Sequence, residues 1–354
     1  MISRFFVFLG RLGLYAIPLL IGLFVGWRIL KVNLLEPEEC GSVTRVFYEV
    51  EDGANLKSVG RDLENRNVLR HWYSLYYLNK LQQFIRGDKG PVVHTGEYDL
   101  SPGMTPLEII ATLRGGKVVS HPLTIPEGAT VSEVAVLMAG TGLITQAEAD
   151  QALFNKQLLD ELQIGALTPE GFLFPETYHF SRPVAAPQIV TRIVQEGRKI
   201  VDEKLPGWRE RAAELGLSLY ELLILASIIE RETSNPDERG KISSVFHNRL
   251  RIAMPLQSDP TVIYGLADFD GNLTKEHLKT PGPYNTYLNT GLPPTPIANP
   301  GLESIKAALY PEDTDLLYFV SKRDGSHHFS ATYKEHVAAV NHYQRQLQQQ
   351  VVPE

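Results

Sequence analysis

The strongest constraint on this chain is the apolar run from Phe5 to Trp27, broken by one charge, Arg11. At 1.5 Å per helical residue it reaches about 34 Å, enough to cross the hydrocarbon core of a bilayer. A tight span from about Leu12 lets Arg11 reach the near interface, and Trp27, Arg28 and Lys31 make an interfacial exit. Basic residues are nearly balanced across the run, so charge leaves the orientation open. The rival reading, a cleaved signal peptide, lacks a small-x-small site after the run. The expected layout is a retained single anchor with a large polar-surfaced body on one side of a membrane.

The body is long enough for two or three folded units, since the chain has 354 residues, 43% of them hydrophobic. The formal net charge of −7 argues against a nucleic-acid partner. The single cysteine, Cys40, excludes an intrachain disulfide.

After a linker comes a repeated grammar of glycine, capping residue and helically spaced apolar residues. It runs Gly53-Ala54-Asn55 with Val59 and Leu63, Gly103-Met104-Thr105 with Ile109 and Leu113, and Gly128-Ala129-Thr130 with Val134 and Met138. Thr105 with Glu108 and Thr130 with Glu133 form capping boxes. Strand-like stretches Arg45–Val50 and Thr95–Leu100 lead into the first two helices. Many small α+β units share this grammar. The functional reading is a LysM-like carbohydrate-binding module. Farther on, helices are expected over 132–140, 145–163, 185–205, 208–215 and the tail 333–350. A hairpin is expected around Asp324-Gly325.

Chemistry centres on the run Leu219 to Glu230, opened by the capping pair Ser218 and Glu221. On a helical wheel Glu230 falls within roughly 20° of Leu223, on the stripe with Ala226 and Ser227. Glu232 points to about the opposite side. An inward carboxyl in an apolar setting holds its proton toward neutral pH and can act as a general acid. The plainer alternative is a buried Glu paired with Arg249 or Arg251. Downstream loops are dense in Pro, Gly, Asn and Tyr, a set suited to sugars, with their apolar ring faces and fringe of hydroxyls. Metal binding by His327, His328 and His336 lacks a matching acid, and Arg114-Gly115-Gly116-Lys117 lacks the rest of a phosphate loop. No cofactor or metal is expected.

Several motifs together resemble the endolytic murein transglycosylases, the MltG or YceG-like family. They are Leu225 to Thr233, Leu256 to Gly265, Tyr284-Asn285-Thr286-Tyr287, Gly291-Leu292-Pro293-Pro294, Glu170 to Tyr178, and the surroundings of His328-Phe329-Ser330 and Glu335-His336. The resemblance implies an α+β protein of the inner membrane with its body in the periplasm. The layout is a cytoplasmic N-terminus (1–11), a transmembrane helix (12–30), a linker (31–44), a LysM-like subdomain (45–121) and a mixed α/β catalytic domain (122–354). It implies cleavage of the MurNAc-GlcNAc bond inside nascent peptidoglycan strands, leaving 1,6-anhydro-MurNAc ends. One carboxyl serves as acid and then base. Glu230 takes that role by carry-over, with Ser227, Gln257, Ser258, Asp259, Tyr284, Asn285 and Asn299 as candidates around the sugar. Glu232 is the runner-up acid. Partners implied are glycan strands and membrane-bound peptidoglycan synthases. The alternatives are a muramidase that admits water, with Asp259 as second acid, and a non-catalytic LysM-type wall-binding protein.

Overall fold

The computed structural model describes residues 2–87 and 93–346. The side chains of Arg4 and Arg11, and tail positions 347–350, lie outside the described residues. The chain divides into two compact units: residues 1–121 with 180–184, and residues 122–179 with 185–354.

The first unit opens with helix α1 (Ile2–Leu34). Its 18-residue window Ile17–Leu34 is long and apolar enough to cross a membrane and is unburied. Strand β1 (Val46–Val50) pairs antiparallel with β2 (Gly96–Leu100), Val46 opposite Leu100 and Val50 opposite Gly96. Alternation along β1 sends Tyr48 and Val50 inward. Between the strands lie α2 (Leu56–Asn65) and α3 (Trp72–Arg86). The Asn55 side chain accepts from the Lys57 and Ser58 amides, a cap that fixes the start of α2. Helix α4 (Pro106–Gly115) starts at the Thr105/Glu108 capping box. Val59, Leu63, Leu75, Tyr98, Leu100, Ile109 and Leu113 share one core. Helix α3 is missing from the sequence expectations, because it has no capping side chain and carries apolar residues on its exposed side.

In the second unit β3 (His121–Thr124) pairs with β4 (Thr177–Phe180). Between them run α5 (Val131–Gly140), α6 (Gln146–Leu153) and α7 (Lys156–Glu161). The single helix expected over 145–163 is thus two helices. The Asn155 side chain accepts from the Leu158 amide and begins a second one. Helices α8 (Ala186–Lys204) and α9 (Trp208–Glu214) precede α10 (Leu219–Glu232), the centre of the unit. Around α10 are α11 (Arg239–Arg251), α12 (Asp259–Tyr264) and α13 (Leu302–Leu309). Leu222, Leu225, Ile228, Phe246, Leu256, Ile305 and Leu309 belong to this core. Strands β5 (Tyr318–Ser321) and β6 (His327–Ser330) form the expected hairpin, and α14 (Tyr333–Val340) follows.

Candidate active site

Ile224 to Ile229 are all buried, so over these turns α10 is covered on every side rather than along one stripe. This changes the meaning of the two glutamates at its end. Glu230 does point inward, but into a polar socket. Its Oε2 accepts from the Gly301 amide at 2.9 Å, and its Oε1 lies 3.4 Å from the Arg239 guanidinium. The same guanidinium lies 3.6 Å from Glu127. A Cβ on Gly301 would fall on the Glu127 carboxylate, so a larger residue at the start of α13 would push that side chain aside. The alternative of a buried Glu–Arg pair is therefore the observed one, with Arg239 in place of Arg249 or Arg251.

Glu232 does not point to solvent. The segment Leu256–Asp259 packs over that side of α10, and the Ser258 hydroxyl donates to Glu232 Oε1 at 2.5 Å. Burial pushes the Glu232 carboxyl up to about 7, and the charge of Asp259 adds to the rise. The Ser258 hydrogen bond and the Arg249 guanidinium pull the other way.

The surroundings of Glu232 are held by a hydrogen-bonded frame. The Gln257 amide donates to Thr286 O at 2.9 Å, and the Ser258 amide to Thr286 Oγ1 at 3.0 Å. Gln257 adopts φ of +49°, a backbone conformation rare for a residue with a Cβ, and its side chain is exposed. Asp259 Oδ1 accepts from the Tyr287 hydroxyl at 2.6 Å. Arg249 is 5% exposed and donates to Leu256 O and Leu317 O while lying over the Tyr318 ring. This buried cation is satisfied by carbonyls rather than by a carboxylate, so its field falls on Glu232 without neutralising it.

Three expected wall residues lie elsewhere. Ser227 is fully buried, donating to Ile224 O and accepting from the Ile297 amide. Asn285 is buried and donates to Leu278 O and Thr280 O, holding its own loop. Asn299 is fully buried. It accepts from the Gly171 and Leu173 amides and donates to Ala129 O and Glu170. Each Asn side chain offers paired donors and acceptors. Here they are taken up by the protein's own backbone and, for Asn299, by Glu170, and are not presented to a ligand. Tyr284 is half-buried, with its hydroxyl on Thr295 and its ring against Tyr264. Among the expected residues Ser258, Gln257 and Asp259 are the ones that gather at Glu232.

Sequence reasoning gave Tyr287 and Glu170 no role beyond their motifs, and weighed Arg249 as a partner of Glu230 rather than a neighbour of Glu232. Glu170 is 1% exposed and caps α5 by accepting from the Val131 amide at 3.0 Å, with Tyr264 and Asn299 donating to it as well. Burial pushes its carboxyl up to about 7 against those hydrogen bonds. It also lines a cavity of about 450 Å³ with Thr130, Arg231, Pro260 and Tyr264. Both of its oxygens are occupied by protein donors, which marks it as a brace between α5, α12 and the Asn299 loop.

With this geometry in view, comparison with known proteins gives a consistent result. Residues 48–342 match the YceG-like family. The chain belongs to that family. This YceG-like chain is 33% identical over 327 residues to the endolytic murein transglycosylase of Bacillus subtilis, covering 88% of each protein. It is 26% identical over 347 residues to the endolytic murein transglycosylase of Streptococcus pneumoniae, covering 89% of this chain and 61% of that longer protein. A crystal structure of a YceG-like protein from Listeria monocytogenes aligns with a TM-score of 0.57 at 30% identity, over 84% of this chain and 99% of that one.

Proposed function

We propose that this protein is an endolytic lytic transglycosylase acting on peptidoglycan, and that Glu232 is its acid and base. The observation that carries the reading is the Glu232 carboxyl, half-buried, raised to about 7 and hydrogen-bonded by Ser258. A lytic cut needs one such group. The protonated carboxyl gives its proton to the glycosidic oxygen as the MurNAc-GlcNAc bond breaks. The resulting carboxylate then removes the proton from the muramyl C6 hydroxyl, whose oxygen closes on C1 to form the 1,6-anhydro ring. No water is added. An inverting hydrolase would need a second carboxylate free to activate water. Asp259 is the nearest acid with a claim, and its Oδ1 is held by Tyr287.

Supporting groups follow from the same frame. Gln257, exposed on a strained backbone, and the Tyr284 and Tyr287 loop are the groups we assign to the sugar. Ser258 sets the carboxyl's position. Glu230 we assign to the scaffold, because Arg239 and the Gly301 amide already occupy its oxygens. The order β1–α2–α3–β2, with two helices between paired antiparallel strands, favours a LysM-like role for the first unit in gripping glycan. Helix α1 is long and apolar enough to hold the protein in a membrane. A periplasmic body and a partnership with membrane-bound synthases complete the reading, in which the cut limits strand growth.

The test is mass spectrometry of products from purified glycan strands. Anhydro-muramyl ends, lost in Glu232→Gln, support the assignment. Reducing ends from the wild type would make the protein a muramidase. Undiminished cleavage by Glu232→Gln would remove that residue from the chemistry.

A further inference from the structure

Helix α3 presents an apolar stripe that nothing among the described residues of its own unit covers. Leu75 and Leu78 face the core, at 0% and 7% exposure. Around the helix from that face, and beyond its end for Ile85, Tyr77 is 59% exposed, Leu81 53%, Phe84 88% and Ile85 72%. The spacing of four, three and one places all four on one face of the helix. The exposed Lys80 lies at the edge of that face, its ammonium over the Tyr76 ring. At the start of the helix Lys57 and Arg61 lie over Trp72, 5.6 and 5.2 Å from its ring. That pair of cations lies across the helix from the stripe, since Trp72 is nine residues and about half a turn around from Leu81. A stripe of large apolar residues edged by an exposed lysine suits a helix that lies in a lipid headgroup layer.

The occupant follows from where α3 begins. Its preceding residue, His71, is hydrogen-bonded through Nε2 to Asn33 Oδ1 of α1 at 3.1 Å. Arg70 donates to Val32 O, Pro37 O and Glu38 O. The start of α3 is therefore tied to the outer end of the apolar helix. Along α1 that point is about 9 Å beyond Trp27, beside a headgroup layer of roughly 5–7 Å per leaflet. A surface tied so close to the bilayer meets it at high effective concentration, so even a weak apolar contact is populated.

We propose that α3 is a second membrane contact, laying Tyr77, Leu81, Phe84 and Ile85 into the headgroup region of anionic phospholipid, with Lys80 at the edge of the stripe meeting phosphates. The inference rests on the reading of α1 as an anchor. It turns the first unit from a tethered module into one lying on the membrane surface.

The test uses the full chain with Cys40→Ser, reconstituted in nanodiscs of phosphatidylethanolamine and phosphatidylglycerol. A fluorophore is attached in turn through Phe84→Cys, Ile85→Cys, Leu23→Cys and Leu167→Cys, the last an exposed site in the other unit. Nitroxide lipids carry quenchers at the carbonyl level or deep in the acyl chain. The labels at 84 and 85 are expected to lose most of their fluorescence to the shallow quencher, while the label at 167 keeps it. The label at 23 is expected to be quenched by the deep one. Quenching at 84 and 85 no greater than at 167, with 23 quenched, overturns the contact and leaves the anchor standing. An unquenched label at 23 removes the anchor itself, and the contact with it.

Discussion

Two carboxyl groups separated by a single residue behave differently because of what covers each. Glu230 sits against a cation and an amide, whereas Glu232 sits under a loop that offers one hydroxyl. If Glu232 must begin the reaction protonated, activity falls as pH rises through about 7. Replacing Ser258 with Ala removes a hydrogen bond that favours the charged form. The alkaline limb of kcat is then expected to move upward, read from a pH–rate profile. Stability carries the same signature. The folded pKa of Glu232 lies above its unfolded value of about 4.5, so the native state holds the extra proton between them. Its contribution to stability is present below pH 4.5 and is lost as pH rises to about 7. Glu232→Gln escapes that loss, so its Tm relative to wild type should climb over this interval in a thermal scan. Glu230→Gln should do the opposite of a catalytic lesion. It weakens a charge-assisted site at a cost of about 2 kcal/mol in denaturant unfolding and leaves the form of the pH–rate profile unchanged.

At the level of elements, helix starts were the most legible part of the sequence. Asn55, Thr105, Thr130 and Ser218 each cap a helix through the side chain that marks it. Such signals are local, resting on residues three apart. Ser218→Ala is accordingly expected to cost about 1 kcal/mol in chemical denaturation without altering the pH dependence set at the far end of α10. What the sequence hid depends on distant packing. The wheel treats α10 as covered along one stripe, yet the unbroken burial of Ile224–Ile229 leaves those turns no solvent side. The apolar run itself carried that signal, because a helix apolar all round is a buried one. The asparagines misled for a related reason: Asn285 and Asn299 lie in loops rich in ligand-like residues, but buried loop backbone needs partners first. Helix α3 escaped notice because it lacks a cap and has apolar residues on both faces.

For the whole molecule, a helix long and apolar enough to span a membrane, a strand–helix unit and a larger helical unit are the parts of the cutting enzyme we propose, one held near the membrane where its polymer is made. Fractionation should find the full chain with membranes and resistant to high-salt extraction, since α1 is held by apolar burial rather than by charge. The central claim concerns one carboxyl group and the bond it breaks, and the most direct measurement is mass analysis of glycan strands digested by wild type, Glu232→Gln and Glu230→Gln. The account expects internal cuts ending in 1,6-anhydro-MurNAc from wild type, the same products from Glu230→Gln, and none from Glu232→Gln. Full cleavage by Glu232→Gln together with silence from Glu230→Gln would contradict it.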